Sequence, residues 1–247
     1  MKKPEFANGF EAAFVAAAIF IGLTILFYII VNVLSVVPIY TVGLSAQNPL
    51  GIITHMYAHI GIFHLFTNIS ALFSHVFVVF VIMCSPLPIH VRRTLSRIIA
   101  VIIFLSGIIT GTILYIFMNV GTTHYYATAG SSGVVYAVFS ALMVICLLLL
   151  PINIKTMIHQ KRTDTLSPHV FASTIVSITF VVIYLPLTFL DAWSFLGVGT
   201  GVSHEAHAFG FISGLIIALI AVGKYLLRSN TLFNPHEIVF FTNIFHN

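Results

Sequence analysis

Charge is largely missing from this sequence. Only 6% of its 247 residues are Asp, Glu, Lys or Arg, where an ordinary soluble domain carries about a quarter. No charged side chain occurs from residue 12 to 91, and none from 98 to 154. A water-soluble core cannot absorb apolar runs of that length, and each holds two bilayer crossings with a neutral connecting loop. Cysteine is scarcer still. Cys84 and Cys146 both lie in apolar runs without C-x-x-C spacing, which excludes a redox pair or a zinc site built on them. What is present is apolar: 59% of residues are hydrophobic and the mean hydropathy is +1.09. The formal net charge of +4 does not mark a nucleic-acid binder, because the Lys and Arg residues sit in short clusters at the ends of apolar runs, where they act as topology signals.

With runs of about 20 apolar residues as the template, the sequence predicts six membrane helices, over residues 12–37, 55–84, 95–118, 132–150, 170–190 and 205–227. Proline is expected to end the first at Pro38 and the fourth at Pro151, to follow the second at Pro86 and Pro88, and to kink or shorten the fifth at Pro186. Met-Lys-Lys precedes a first run of 26 residues with no Ala-x-Ala-like site, which reads as a retained helix and not a signal peptide. All ten Lys and Arg residues fall on one side of this arrangement. Lys2 and Lys3 precede the first span, Arg92, Arg93 and Arg97 flank the second loop, Lys155, Lys161 and Arg162 occupy the fourth, and Lys224 and Arg228 close the sixth. Both termini, and a short tail over 229–247, are therefore expected in the cytoplasm, with loops 38–54, 119–131 and 191–204 outside. No internal repeat, soluble domain or low-complexity linker interrupts the chain, so residues 1–247 are expected to form one all-α membrane domain.

A polar side chain inside a span is costly unless it faces the bundle interior or a wet cavity. The second predicted span carries His55, His59, His64 and Asn68; the fourth opens with Gly130-Ser131-Ser132-Gly133 and then Tyr136; the sixth opens with Ser203-His204-Glu205-Ala206-His207, followed by Gly210 and Gly214. These spans all run from outside to inside, so the three polar patches meet at one depth. A water-filled pocket just below the outer surface satisfies them together. Residues four apart share a helix face, which pairs His64 with Asn68 and Ser132 with Tyr136. Gly210 and Gly214 form a small-x-x-x-small strip beside His207, which lets a neighbouring backbone approach closely.

Such a pocket has a definite chemistry. Ser132 is a weak nucleophile until a base takes its proton, and the neutral imidazole of His207 does that near pH 7. No Asp or Glu is an obvious orienting partner, so the Tyr136 ring, stacked on the imidazole, takes that part. The Asn68 amide, the Ser132 backbone N–H and His64 are candidate donors to an oxyanion. Alone, Ser132 reads as a helix-start serine, His207 as an interhelical hydrogen-bonding residue, and His64 with Asn68 as helix glue; their company favours catalysis. His59 reads as structural, bonding the first loop, and His55, His124 and His204 as residues near the outer interface.

In these motifs the chain resembles the rhomboid family of intramembrane serine proteases. His59, His64 and Asn68 match H-x-x-x-x-H-x-x-x-N, Gly130 to Gly133 match G-x-S-G, and Ala206, His207, Gly210 and Gly214 match A-H-x-x-G-x-x-x-G. The resemblance implies a six-helix bundle with Ser132 as nucleophile, His207 as base, and His64 and Asn68 at the oxyanion hole. Tyr136, Gly130, Gly133, Gly210 and Gly214 support them. It implies membrane-anchored protein substrates, cut in or beside their transmembrane segments near the outer face of the bilayer, with no metal or organic cofactor. The location that fits is a plasma membrane. The first outer loop departs from the family in having no Trp-Arg pair. Rival readings are a non-catalytic relative that binds transmembrane helices, a metal site built from His55, His59, His64, His204, Glu205 and His207, and a transporter. The first loses the serine or the histidine, the second lacks H-E-x-x-H spacing, and the third lacks paired buried charges and an inverted repeat.

Overall fold

A computed structural model describes residues 8–120, 128–163, 165–184, 186–187, 190 and 204–228. His124, most of the loop 191–204 and the tail 229–247 lie outside the described residues. The chain is an all-α, multi-pass membrane protein. Helix α1 (Glu11–Tyr28) runs into a π-helical turn (Ile29–Val33), and two short helices follow, α2 (Ile39–Val42) and α3 (Gly51–Thr54). Helix α4 (Ile62–Phe73) continues through a π-helical stretch (Ser74–Val79) into α5 (Phe80–Cys84). Then come α6 (Ile89–Val120), α7 (Ser132–Arg162), α8 (Pro168–Thr179) with a further π-helical turn (Phe180–Tyr184), and α9 (His204–Arg228).

Five segments are long and apolar enough to cross a membrane: Glu11–Val33, Ile62–Cys84, Ile89–Val120, Ser132–Arg162 and His204–Val222. A sixth, Pro168–Tyr184, is shorter but still reaches about 25 Å at helical rise. Helix α7 is the central post, because 78% of its apolar window is buried by the rest of the protein against 28–44% for the other four. Its own Leu142 is fully buried, as are Phe20, Phe80, Ile99, Ile102 and Ile103 from other helices. Phe63, Phe66 and Val101 stay exposed, as side chains facing lipid do when no water penalises them.

Boundaries move in the first four predicted spans. The first span ends at its π-helical turn and not at Pro38: the N–H groups of Leu34 and Val36 take the carbonyls of Ile29 and Ile30, and Ser35 turns the chain at φ 53. Pro38 instead precedes α2 as its N-cap. The second span begins at Ile62, seven residues later than predicted, so His55 and His59 lie on a turn ahead of it. That turn is held by side chains: His55 Nδ1 donates to the Gly51 carbonyl at 2.8 Å, and Asn32 Nδ2 donates to the His59 carbonyl at 2.8 Å. The third span is longer than predicted at both ends, and Arg92 lies over the Phe10 ring, 5.6 Å from its centroid. In the fourth, Pro151 is internal and the helix runs on to Arg162. The proline removes one helical N–H, but the helix beyond it is tied to its neighbours. Asn153 Nδ2 donates to Ser173 Oγ at 2.8 Å, Ser173 Oγ donates to the Met83 carbonyl at 2.6 Å, and Thr156 and Gln160 are buried.

The first outer loop is fastened to the chain that enters α7. Leu44 and Thr128 exchange both backbone hydrogen bonds at 2.9 Å, and Gly130 N–H donates to the His55 carbonyl at 2.9 Å. These bonds fix where α7 begins.

Candidate active site

Gly130 has φ +140, and a Cβ there would lie 2.7 Å from Cε1 of His64. Both facts call for glycine, one for its backbone freedom and one for its missing side chain. The His64 imidazole, at the first turn of α4, is thereby seated over the residue that leads into Ser131 and Ser132. Ser131 is buried and its carbonyl accepts the N–H groups of Val134 and Val135. Ser132, the first residue of α7, is half-buried. Its backbone N–H belongs to the first helical turn, where no intrahelical acceptor exists.

Across from it, α9 approaches α7 through its glycines. A Cβ at Gly133 would meet the Ala206 carbonyl oxygen at 3.1 Å; one at Gly210 would overlap the Gly133 carbonyl, and one at Gly214 the Ala137 carbonyl. The two backbones therefore touch over two turns, a close approach that only small residues permit. Ser132 and His207 are the chain neighbours of Gly133 and Ala206, the first pair in that contact. His207 is half-buried, and the Tyr136 ring lies flat on its imidazole, with centroids 4.3 Å apart and planes 10° from parallel. His204 meets the same imidazole edge-on at 5.9 Å.

The third part of the site gathers on the turn before α4. Asn68, one helical turn beyond His64, is buried and directs Nδ2 to Nε2 of His59 at 3.2 Å. The same Nε2 lies 3.2 Å from Ser131 Oγ and 3.4 Å from the Ser131 backbone nitrogen. His59 and His64 pack edge to face with centroids 4.9 Å apart. His59, outside the membrane-spanning helices, is pushed down to about 4 by burial first and by the neighbouring His64 second, against a raising hydrogen bond from its Nδ1 to the Tyr57 carbonyl. The His59 side chain is therefore neutral at pH 7.

Every sequence-predicted site residue lies among the described residues. Tyr136 is brought to His207, His64 to Gly130, and Gly133 to Gly210. Asn68 is brought to His59, whose Nε2 also takes Ser131, a link that the sequence does not suggest, since no helical spacing relates a turn residue to another helix. His55 is buried against Gly111 of α6. One buried histidine belongs to none of the sequence motifs: His75, midway along the second span, lies among Phe139, Phe180 and Tyr184. Among the described residues no three His, Cys, Asp or Glu side chains come together as a metal-ion site.

A family model described as the Rhomboid domain matches residues 46–224, well over half of the chain and inclusive of every site residue above. The chain belongs to the rhomboid family. No curated protein and no solved structure matches it significantly. Rhomboid proteins are intramembrane proteases acting on membrane-protein substrates in the bilayer, and some rhomboid-like proteins are inactive. The rhomboid match starts at residue 46, after the first span, yet that span is packed into the same core. Phe10 meets Phe80 edge to face at 5.3 Å, and Ala13 N–H donates to Ser96 Oγ at 2.9 Å.

Proposed function

We propose that this rhomboid protein is an active intramembrane serine endopeptidase that cleaves membrane-anchored proteins in or beside their transmembrane segments. The observation that carries the reading is the flat stack of Tyr136 on His207 beside the glycine contact between α7 and α9. It supplies an orienting partner for the imidazole without a carboxylate, while the glycines bring the helix bearing Ser132 alongside.

In the proposed reaction the Ser132 hydroxyl attacks the scissile carbonyl and its proton passes to the neutral His207. The oxyanion formed is stabilised by the Ser132 backbone N–H, the Asn68 amide and His64. One Asn68 N–H is directed to His59, and the second N–H on the same nitrogen serves the oxyanion. His207 then protonates the leaving amine, giving an acyl-enzyme on Ser132. Water activated by the same imidazole hydrolyses it. The chemistry needs no cofactor.

The whole chain, 1–247, forms one membrane domain in this reading, with both termini in the cytoplasm, as the one-sided Lys and Arg distribution directs. The site opens to the outer side of a plasma membrane, and its partners are the lipid bilayer and the substrate's anchoring helix. The test is cleavage of a single-span model substrate in proteoliposomes by wild type and Ser132→Ala, with and without chelator. Cleavage that requires Ser132 and ignores chelator is expected. Equal cleavage by both proteins sinks the reading, and a folded wild type that cleaves nothing points to a helix-binding relative.

A further inference from the structure

We infer that His59 is a positioning residue for the proposed reaction, its Nε2 joining the Asn68 amide and the Ser131 turn into one unit. The inference rests on the protease reading and adds to it a residue that touches no substrate.

The argument starts from the two ring nitrogens. Nδ1 faces the Tyr57 carbonyl at 3.3 Å, and a carbonyl only accepts, so Nδ1 carries the proton. In a neutral ring Nε2 is then a bare acceptor. Three donors converge on it: Asn68 Nδ2–H, the Ser131 N–H and the Ser131 hydroxyl, at 3.2, 3.4 and 3.2 Å. One lone pair shared by three donors explains why none of the contacts is short. It also fixes the Asn68 amide, which must present nitrogen and not oxygen to His59 and so keeps its remaining N–H on the same side.

The ring is itself clamped. His59 has no exposed surface, and its backbone carbonyl accepts Asn32 Nδ2 from the end of the first span. The imidazole thus connects the turn before α4, α4 through Asn68, and the start of α7 through Ser131, while the backbone of the same residue is tied to the first span. The Asn68 and Ser131 ends lead to the proposed oxyanion donor and to the residue before the proposed nucleophile. A displacement on the order of 1 Å between such groups costs roughly 100-fold in rate.

The test uses the full-length protein in proteoliposomes, a single-span model substrate, and a fluorophosphonate probe for Ser132. Glutamine carries its amide oxygen to the position of histidine Nε2, whereas asparagine reaches only the position of Nδ1. His59→Asn is expected to lower kcat by roughly 100-fold with KM within about twofold of wild type, whereas His59→Gln recovers to within about fivefold. Ser131→Ala, which keeps the N–H donor, falls by about threefold to tenfold. Melting temperatures of all variants are measured alongside. Equal kcat in His59→Asn and wild type overturns the inference, as does a rise in KM at unchanged kcat, or an equal fall in the Asn and Gln variants. A wild type that neither cleaves substrate nor takes the fluorophosphonate overturns the protease reading beneath it, an outcome distinct from the other three.

Discussion

Helix α7 meets its neighbours in two different ways. Against α9 there is no side chain between the backbones at Gly133, Gly210 and Gly214. Against the π-helical turn after α8 and the second span it is faced by rings: Phe139 packs on Phe180 at 5.0 Å and on Tyr184 at 5.6 Å, with the His75 imidazole edge-on to all three. Both elements facing Phe139 there are π-helical, over Ser74–Val79 and Phe180–Tyr184, and His75 Nε2 has no hydrogen-bond partner among the described residues. The glycine side has two positions to choose from, touching or apart. The aromatic side has many, because rings slide and widened helical turns absorb displacement. The residues proposed to do chemistry lie along the side with fewer choices.

The largest expected effect breaks that side at its chemistry. Ser132→Ala or His207→Ala lowers cleavage of the model substrate by about 10⁴-fold or more, read as initial rate in proteoliposomes. A variant of either residue that cleaves at the wild-type rate removes the dyad from consideration.

The next experiment sets the two sides against each other. Gly210→Val drives a branched side chain into the Gly133 carbonyl, so the helices must part and kcat falls by roughly 100-fold. Phe180→Leu, on the ring side, costs about 1–3 kcal/mol of stability, seen as a lower melting temperature, while cleavage at 25 °C changes by less than about threefold. The reverse result, an active Gly210→Val and an inactive Phe180→Leu, would invert the comparison.

The turn between these sides responds to acid. His59 has a folded value pushed down to about 4 from 6.5, so the unfolded chain binds the extra proton first. Its stabilising contribution is complete above pH 6.5 and is lost as pH falls through about 4, to an extent on the order of 3 kcal/mol. The titratable group facing it is His64 of α4. Asn32 at the end of the first span and Ser131 at the head of α7 also face it and do not titrate. Melting temperature is therefore expected to fall between pH 6.5 and 4 more steeply in wild type than in His59→Gln; parallel curves would contradict this.

The spans themselves were legible because a stretch without charge from 12 to 91 has no other reading. Their ends were not, where a local bond outweighed a residue's average preference. Pro151 is a helix breaker in isolation, but Asn153 and Gln160 hold the helix beyond it. His55 and His59 fall within an apolar run, and only the hydrogen bonds of their side chains and backbones reveal a turn. In the site, the spacing of Ser132 and Tyr136 and the glycines after His207 pointed to a contact between two helices, since periodicity and small size are written in sequence. Ser131 occupies the variable position of G-x-S-G, and no local spacing points to its partner, which is 72 residues away. His75 belongs to no motif and no end-of-span cluster, and the only signal for it in the sequence is the cost of a histidine midway along a span.

The smallest effect tests whether the Tyr136 ring orients the base or merely fills space. A stacked pair is worth about 0.5–1.5 kcal/mol beyond its buried area, which corresponds to about tenfold in rate if the stack is lost only from the productive orientation. Tyr136→Leu keeps most of the volume and removes the flat face, so kcat should fall by about tenfold while the melting temperature moves little. Tyr136→Phe keeps the face and should recover most of that loss. The comparison is sharpest in the pH profile: an imidazole freed from its ring explores more orientations but titrates as before, so the Leu variant should lose rate uniformly across pH. A loss confined to one limb of the profile would instead show that Tyr136 acts on the protonation of His207, and the stack would have to be counted as electrostatic.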